Sequence, residues 1–270
     1  MTYQIKQLKF GGILDQAIAL TKNHFGLLFS IMAIVFIPFS LISSFVMLSV
    51  LPAAPQMGAS PEQFMAFNQA ALKLWPLTVG SGLLTIFIVL PLTNAAVVDA
   101  VAKVYLGKPA SAADSIKVGL SRLLPLFWTT ILMFLAIMGG FILFIIPGIL
   151  CLVWFGLSTH VVVLEGVSGG AALGRSKKLM SGNINTVFVL GILMLVIGAG
   201  VGMVAGLVPQ VHAQIILRII MQAAMTILST AAMVVFYFSC RCGHENFDLE
   251  HLAQSMGDNA ADESAEADQL

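Results

Sequence analysis

Long apolar runs separated by short polar segments dominate the sequence. Six runs have about the length, some 20 residues, that a helix needs to cross the hydrocarbon layer of a bilayer. They cover residues 25–51, 74–98, 124–145, 148–164, 185–207 and 219–240. We therefore predict an all-α fold, a polytopic membrane bundle of six transmembrane helices within residues 1–252.

The third and fourth predicted spans lie in 42 consecutive residues, 123–164, that contain no Lys, Arg, Asp or Glu. This stretch is too long for one crossing, and the dipeptide Pro147-Gly148 is a common turn signal. We place the turn between the two spans there. The fourth span is short, which predicts little tilt or partial enclosure in protein.

A short amphipathic segment precedes each odd-numbered span. The three segments read LDQAIALTKNHFGLLF, ADSIKVGLSRLLPLFW and AALGRSKKLMSGNINTVF. We predict three repeats, each an interfacial helix followed by a two-span hairpin. Cations on such helices contact anionic lipid headgroups, and the candidates are Lys117, Arg122, Lys177 and Lys178.

The second of these segments carries its own start signal. Ser111 followed by Asp114 predicts a capping box. The expected apolar face of this helix comprises Ala112, Ile116, Leu120 and Leu123.

The cations predict the orientation. Eleven of the 13 Lys and Arg residues fall in segments 1–24, 99–122, 165–184 and 241–270, and only Lys73 and Arg218 fall in the alternate segments. The positive-inside bias then places both termini in the cytoplasm. An even number of spans gives the same result.

Composition supports a membrane class and excludes others. The chain is 59% hydrophobic and 10% charged, whereas soluble domains carry about 25% charged residues. The formal net charge is zero, which argues against nucleic acid as a partner, because phosphate binding needs a basic surplus. The three cysteines indicate no disulfide framework, and we expect no cleaved signal peptide before the first span.

Charged candidates for chemistry lie at the ends of spans. Asp99 is followed four residues later by Lys103, the spacing of a helix ion pair. Glu165 ends the long uncharged stretch, and we predict that it is a boundary residue bonded to Arg175, which fixes the angle between the fourth span and the next helix. The rival interpretation is a proton or ligand site at Glu165.

Two polar residues lie inside spans. His160 and Glu165 are five residues apart, so their side chains point about 140° apart on a helix. We expect His160 to be packed and bonded to a neighbouring carbonyl in preference to serving as a proton relay. For Asn94 we expect an interhelical hydrogen bond in preference to a substrate contact.

No catalytic or metal-binding pattern appears. The segment CRCGH at 240–244 places its potential ligands too close together for a zinc site. HExxH and P-loop motifs are absent from the sequence. We predict no enzyme activity, no cofactor and no metal.

Glycine spacing predicts a packing seam in the fifth span. Gly198, Gly202 and Gly206 recur every four residues, a pattern that lets another helix approach closely, either from this chain or from a second copy. Replacement of Gly202 by Leu is expected to damage folding or assembly.

The remaining segments are polar. Ser60 before Pro61 and Glu62 predicts the start of a helix on the outer face. Residues 253–270 are acidic and poor in apolar side chains, so we predict a disordered cytoplasmic tail.

Several segments resemble a known family. FGGILDQAIALTKNHFGLLF, VYLGKPASAADSIKVGLSRLLPLF, IIPGILCLVWFGLSTHVVVLEGVSGGAALGRSKKLMSGN and FYFSCRCGHENFDLEHL occur in this order. They resemble the bacterial integral membrane family related to the glycerophosphoryl diester phosphodiesterase membrane domain, which includes YciC-like inner-membrane proteins of unknown function. The resemblance implies six spans in a bacterial inner membrane. In some relatives a catalytic domain is fused to the membrane domain. We expect none here and do not transfer its activity.

These observations favour a noncatalytic membrane protein that organises or handles lipid or a membrane partner. The partner classes are membrane lipids, another membrane protein or a second copy of the chain. The alternative is a transporter or channel for a lipid-like or apolar solute, since transporters are often built from repeats. An enzyme is the least supported of the three classes.

The orientation can be tested with topology reporters at Leu270. Because the cations concentrate on one side, a fused fluorescent protein that matures only in the cytoplasm is expected to be active there, and a fused alkaline phosphatase inactive. Phosphatase activity at Leu270 would contradict a cytoplasmic C-terminus.

Overall fold

The computed structural model describes residues 3, 5–50, 60–245 and 247, and these are helical with no strand. The all-α prediction is confirmed for this part of the chain. The helices are α1 (Phe10–Asn23), α2 (Phe25–Ile34), α3 (Phe36–Val50), α4 (Pro61–Leu84), a π-helical segment (Thr85–Val89), α5 (Leu90–Tyr105), α6 (Ala112–Ser121), α7 (Leu123–Leu143), α8 (Ile145–Trp154), α9 (Ser158–Leu164), α10 (Gly169–Met180), α11 (Ile184–Gly206) and α12 (Val211–Glu245).

Among the described residues, five helical stretches are long and apolar enough to cross a membrane. A sixth arises if α1 and α2, which are bent by 74° relative to each other, count as one broken span. Each of the predicted spans two to six overlaps one of the five, which are Pro61–Tyr105, Leu123–Leu143, Ile145–Leu164, Ile184–Gly206 and Val211–Glu245.

The prediction for the first span, residues 25–51, is wrong as a single helix. The chain breaks at Val35, between α2 and α3. Pro38 explains the break, because it has no N–H to donate to the Ile34 carbonyl and its ring collides with that carbonyl. The helix α3 is too short to cross alone.

The second span is longer than predicted. Ser60 caps α4 through a reciprocal capping box with Gln63, and the helix then continues into α5. The predicted outer helix is therefore the first part of the second span. Pro91 lacks the N–H that an α-helix needs, and the π-helical turn before it, in which Leu90 N–H bonds to Thr85 O, accommodates the mismatch.

The turn between the third and fourth spans is not at Pro147-Gly148. It lies at Phe144, whose backbone is extended (φ −164°, ψ 161°), and both predicted turn residues belong to the first turns of α8. Proline is tolerated there because the first N–H groups of a helix have no intrahelical partner. Gly148 instead allows α7 and α8 to pack closely, because a Cβ added to Gly140 would lie 2.9 Å from the Cα of Gly148.

The core gathers around α5 and the second half of α12. Both are buried almost throughout, and α1 and α9 pack against them. Most apolar side chains of α7, α8 and α11 are instead exposed or partly exposed, as expected for helices whose solvent is lipid.

The helix α6 begins after Ser111 as predicted, but its packing differs. The Ser111 side chain makes no capping bond, and Asp114 approaches Lys117 at 3.7 Å instead. The buried residues are Ser115 and Gly119, whereas Leu120, from the predicted apolar face, is exposed. Small residues occupy the buried face of α6 because α5 lies so close that a Cβ on Gly119 would be 3.0 Å from a backbone oxygen of α5.

Short helices occur at all three predicted repeat positions, as α1, α6 and α10. Their packing partners differ: α1 packs mainly on α12, α6 on α5, and α10 on α7 and α9. The three-fold repeat therefore stays a prediction.

The predicted glycine seam is wrong within this chain. A Cβ added to Gly198, Gly202 or Gly206 would meet no described atom within 4 Å. The closest backbone approach that glycine permits lies between α7 and α8, where the Phe144 turn forces two antiparallel helices together. The predicted tail, residues 253–270, lies outside the described residues.

Two adjacent glycines of α7 provide a matched test of this packing. Gly140→Ala places a methyl group against the α8 backbone and is expected to destabilise by about 1–3 kcal/mol. Gly139→Ala meets open space and is expected to be neutral or stabilising by up to about 1 kcal/mol, as in an unconstrained helix. Thermal unfolding in detergent measures both.

Gly202→Leu in the same assay checks the correction to the seam. Little change in the thermal unfolding midpoint is expected, because no described atom lies within 4 Å of a Cβ at this position.

For the α7–α8 contact, equal effects of Gly139→Ala and Gly140→Ala would contradict it.

Candidate functional site

Glu165 lies where α9 ends, and the local sequence fixes the chain direction there. Gly166 follows with φ +74°, the left-handed conformation that terminates helices and that glycine adopts without strain. The Arg122 guanidinium lies beside Gly166, 3.4 Å from where a Cβ would be. The chain turns through Ser168 into α10, whose first N–H, from Gly169, donates to Thr129 Oγ1 at 2.8 Å.

The predicted bond between Glu165 and Arg175 is confirmed. Arg175 Nε donates to Glu165 Oε2 at 2.8 Å and to Oε1 at 3.1 Å. Tyr237 from α12 donates its hydroxyl to Glu165 Oε1 at 2.7 Å. The carboxylate therefore joins α9, α10 and α12 at one point.

Arg175 also binds a second carboxylate. Its Nη1 donates to Glu245 Oε1, and Arg241 Nε donates to Glu245 Oε2 at 3.0 Å. We call Glu165, Arg175, Tyr237, Arg241 and Glu245 the Glu165 cluster. It contains two carboxylates and two guanidinium groups, so its formal charge is zero.

The electrostatics of the cluster are those of a structural ion-pair network between helices. The charged side chains are 17–28% exposed, so the bonds are only partly screened by solvent. The hydrogen bond to Glu245 and the carboxylate of Glu165 raise the pKa of Arg175 above its already high range, and the guanidinium stays charged at every physiological pH. Charge-assisted bonds of this kind are about twice as strong as neutral ones.

The other charged candidates lie outside the Glu165 cluster. Lys103 Nζ lies 2.7 Å from Asp99 Oδ2, which confirms that pair. Lys177 lies over the Trp154 ring, 4.3 Å from its centroid, an arrangement that attracts a cation to the ring face. Lys178 and Lys117 are exposed, and a lipid-contacting role for these cations stays a prediction.

His160 is buried, but it is not bonded to a carbonyl as predicted. Both ring nitrogens are enclosed and have no hydrogen-bond partner in the described part of the chain. The ring stacks on Tyr237, with centroids 6.5 Å apart and planes at 22°. Asn94 likewise makes no interhelical bond to a described residue. Both line one cavity between α5, α9 and α12.

A separate groove of about 380 Å³ runs between α1, α2, α11 and α12. Its lining is almost entirely apolar, and Lys22 is its charged residue among those described. Thr21 also lines it, with a buried hydroxyl that has no partner in the described structure. The remaining lining residues are Ile18, Phe25, Val201, Met221, Ala224, Met225 and Leu228.

Sequence reasoning missed three members of the Glu165 cluster and the groove. Arg241 and Glu245 are four residues apart on one helix, a spacing that identifies such pairs. Tyr237 is 72 residues from Glu165, and no local pattern links them. The groove joins helices distant in sequence, so Lys22 carried no signal beyond that of a basic residue on an amphipathic helix.

Comparisons of this chain with protein-family models, curated proteins and solved structures give no match.

A double-mutant cycle tests the Glu165–Arg175 bond. Glu165→Gln and Arg175→Gln are each expected to cost about 1–3 kcal/mol of unfolding free energy, because each leaves a partly buried charge without its partner. The double variant is expected to cost less than the sum. Reversible denaturation in mixed micelles measures the cycle.

The exposed pair Asp114 and Lys117 provides the control for this cycle. Asp114→Asn with Lys117→Gln is expected to stay within about 0.5 kcal/mol of the parent, because solvent screens exposed ion pairs. Strict additivity of the Glu165 and Arg175 substitutions would show that the bond contributes no coupling energy.

Proposed function

We propose that this chain is a noncatalytic integral membrane protein that binds a phospholipid in the groove between α1, α2, α11 and α12. In this proposal an acyl chain fills the apolar part, and the headgroup phosphate binds Lys22. The proposed location is a bacterial inner membrane, with both termini in the cytoplasm. The one-sided distribution of cations supports the orientation, and the family resemblance supports the membrane.

The observation that carries the proposal is the combination of an open apolar groove with one cation, Lys22, among its described lining residues. Burial of each methylene of an acyl chain contributes about 0.8 kcal/mol in water. In a bilayer that driving force is largely absent, because the lipid tails around the protein are equally apolar. Selective retention of one lipid therefore requires a polar contact.

Lys22 supplies such a contact. It is exposed and forms no ion pair with any described residue. An ammonium group donates strong charge-assisted hydrogen bonds to phosphate oxygens.

The surroundings of the groove also favour lipid over a soluble ligand. Val201 lies on α11, a helix of which most side chains are at least partly exposed and apolar. A ligand at such a surface is delivered through the membrane. Lipid is the solute that is always present there at high concentration.

Native mass spectrometry with phosphatidylglycerol tests the proposal. Lys22→Gln is expected to weaken binding about fivefold to tenfold, equivalent to about 1–1.4 kcal/mol, through loss of the phosphate contact. Ala224→Trp fills the groove and is expected to abolish the high-affinity component. Circular dichroism and monodisperse elution verify that both variants fold.

Lys108→Gln is the matched control, because it removes an exposed cation that is not among the residues lining the groove. Unchanged affinity in this variant with reduced affinity in Lys22→Gln supports the groove. Equal losses in both variants, or no saturable binding by the parent, would overturn the proposal. Accelerated movement of labelled lipid between vesicle leaflets would favour the transporter alternative over a binding module.

A further inference from the structure

A second, polar cavity lies among the helices, apart from the groove. It has a volume of about 280 Å³, is partly open, and is bordered by α5, by the segment around α9 and by α12. Its polar lining residues are Asn94, Thr159, His160, Thr226, Ser229 and Thr230. Among the described residues, no charged side chain lines it.

These polar side chains do not connect the helices to one another. Thr226 Oγ1 donates to Gln222 O at 2.9 Å and Ser229 Oγ donates to Thr226 O at 3.1 Å, both within α12. Asn94 bonds to no described residue. Interhelical hydrogen bonding, the usual structural role of such residues in membrane bundles, therefore does not account for them.

His160 is a buried member of this lining, and both of its ring nitrogens are closed off from a solute in the cavity. It is 6% exposed, and neither ring nitrogen has a hydrogen-bond partner in the described structure. Stacking on Tyr237 fixes the ring. A buried imidazole normally has at least one nitrogen bonded, because an unmade bond carries the full desolvation penalty of the group.

The lining also defines the class of ligand. The Thr226 and Ser229 hydroxyls have already donated their hydrogens, so their oxygens accept from a ligand. The Asn94 amide offers both donors and an acceptor. A charged ligand would find no opposite charge there and would keep its desolvation penalty.

We propose that this cavity is a binding site for a small uncharged solute that carries several hydroxyl groups. A hydroxyl group donates to the Thr and Ser oxygens and accepts from Asn94, so one functional group matches the accessible polar lining. This site is separate from the lipid groove, and either proposal can fail without the other.

Chemical labelling at Ser229 tests the cavity. Ser229→Cys is made in a background in which Cys151, Cys240 and Cys242 are replaced by Ala. The probe is methyl methanethiosulfonate, a small uncharged thiol reagent, and the protecting solute is xylitol, an uncharged polyol with five hydroxyl groups. Saturating xylitol is expected to slow labelling about tenfold, because the solute occupies the cavity.

Three controls make the result specific. Sucrose, which is too large for the cavity, is expected to give no protection. Ser121→Cys, at an exposed position on α6, is expected to react at the same rate with and without xylitol. Asn94→Leu, added to Ser229→Cys, is expected to remove the protection while leaving the labelling itself intact.

Histidine labelled with ¹⁵N in the parent protein gives a readout that needs no cysteine substitution. Saturating xylitol is expected to shift the His160 ring resonances, which are assigned by their loss in His160→Phe. Equal protection by sucrose and xylitol, protection that survives Asn94→Leu, or unchanged His160 resonances at saturating xylitol would overturn the proposal.

Discussion

Arg175 is the contact on which the arrangement of the core depends. Its guanidinium binds Glu165 at the end of α9 and Glu245 at the end of α12, so one side chain ties three helices from distant parts of the sequence. The hydrophobic effect cannot fix such an arrangement among apolar helices in lipid, because lipid tails are as apolar as the side chains. Directional bonds at the helix ends do so.

The parts of the fold that local chemistry determines could be predicted from the sequence. Apolar runs located spans two to six to within a few residues in most cases, and Ser60 located a helix start. The Glu165–Arg175 bond was also accessible, because Arg175 follows Glu165 by only ten residues and the turn at Gly166 brings the two helices back together. In each case the interacting groups are close in sequence.

The wrong predictions share a physical cause: the same residue types have different structural roles in different packing environments. Pro147-Gly148 is a turn signal, yet the turn lies at Phe144. A proline in the first helical turn loses no hydrogen bond, and Gly148 is needed for close packing against Gly140. Gly198, Gly202 and Gly206 have the spacing of a seam, yet no described residue approaches them. Spacing shows which faces permit close approach, and only tertiary structure shows which of them is used.

Tyr237 links the Glu165 cluster to the polar cavity. Its hydroxyl donates to Glu165, and its ring stacks on His160, so the charged cluster holds one wall of the cavity in place. The bond anchors the far end of the Tyr237 side chain, and a ring fixed at both Cα and hydroxyl cannot turn to bring its own polar group to His160. The cluster thus keeps the imidazole in place as part of the cavity lining, without a hydrogen-bond partner among the described residues.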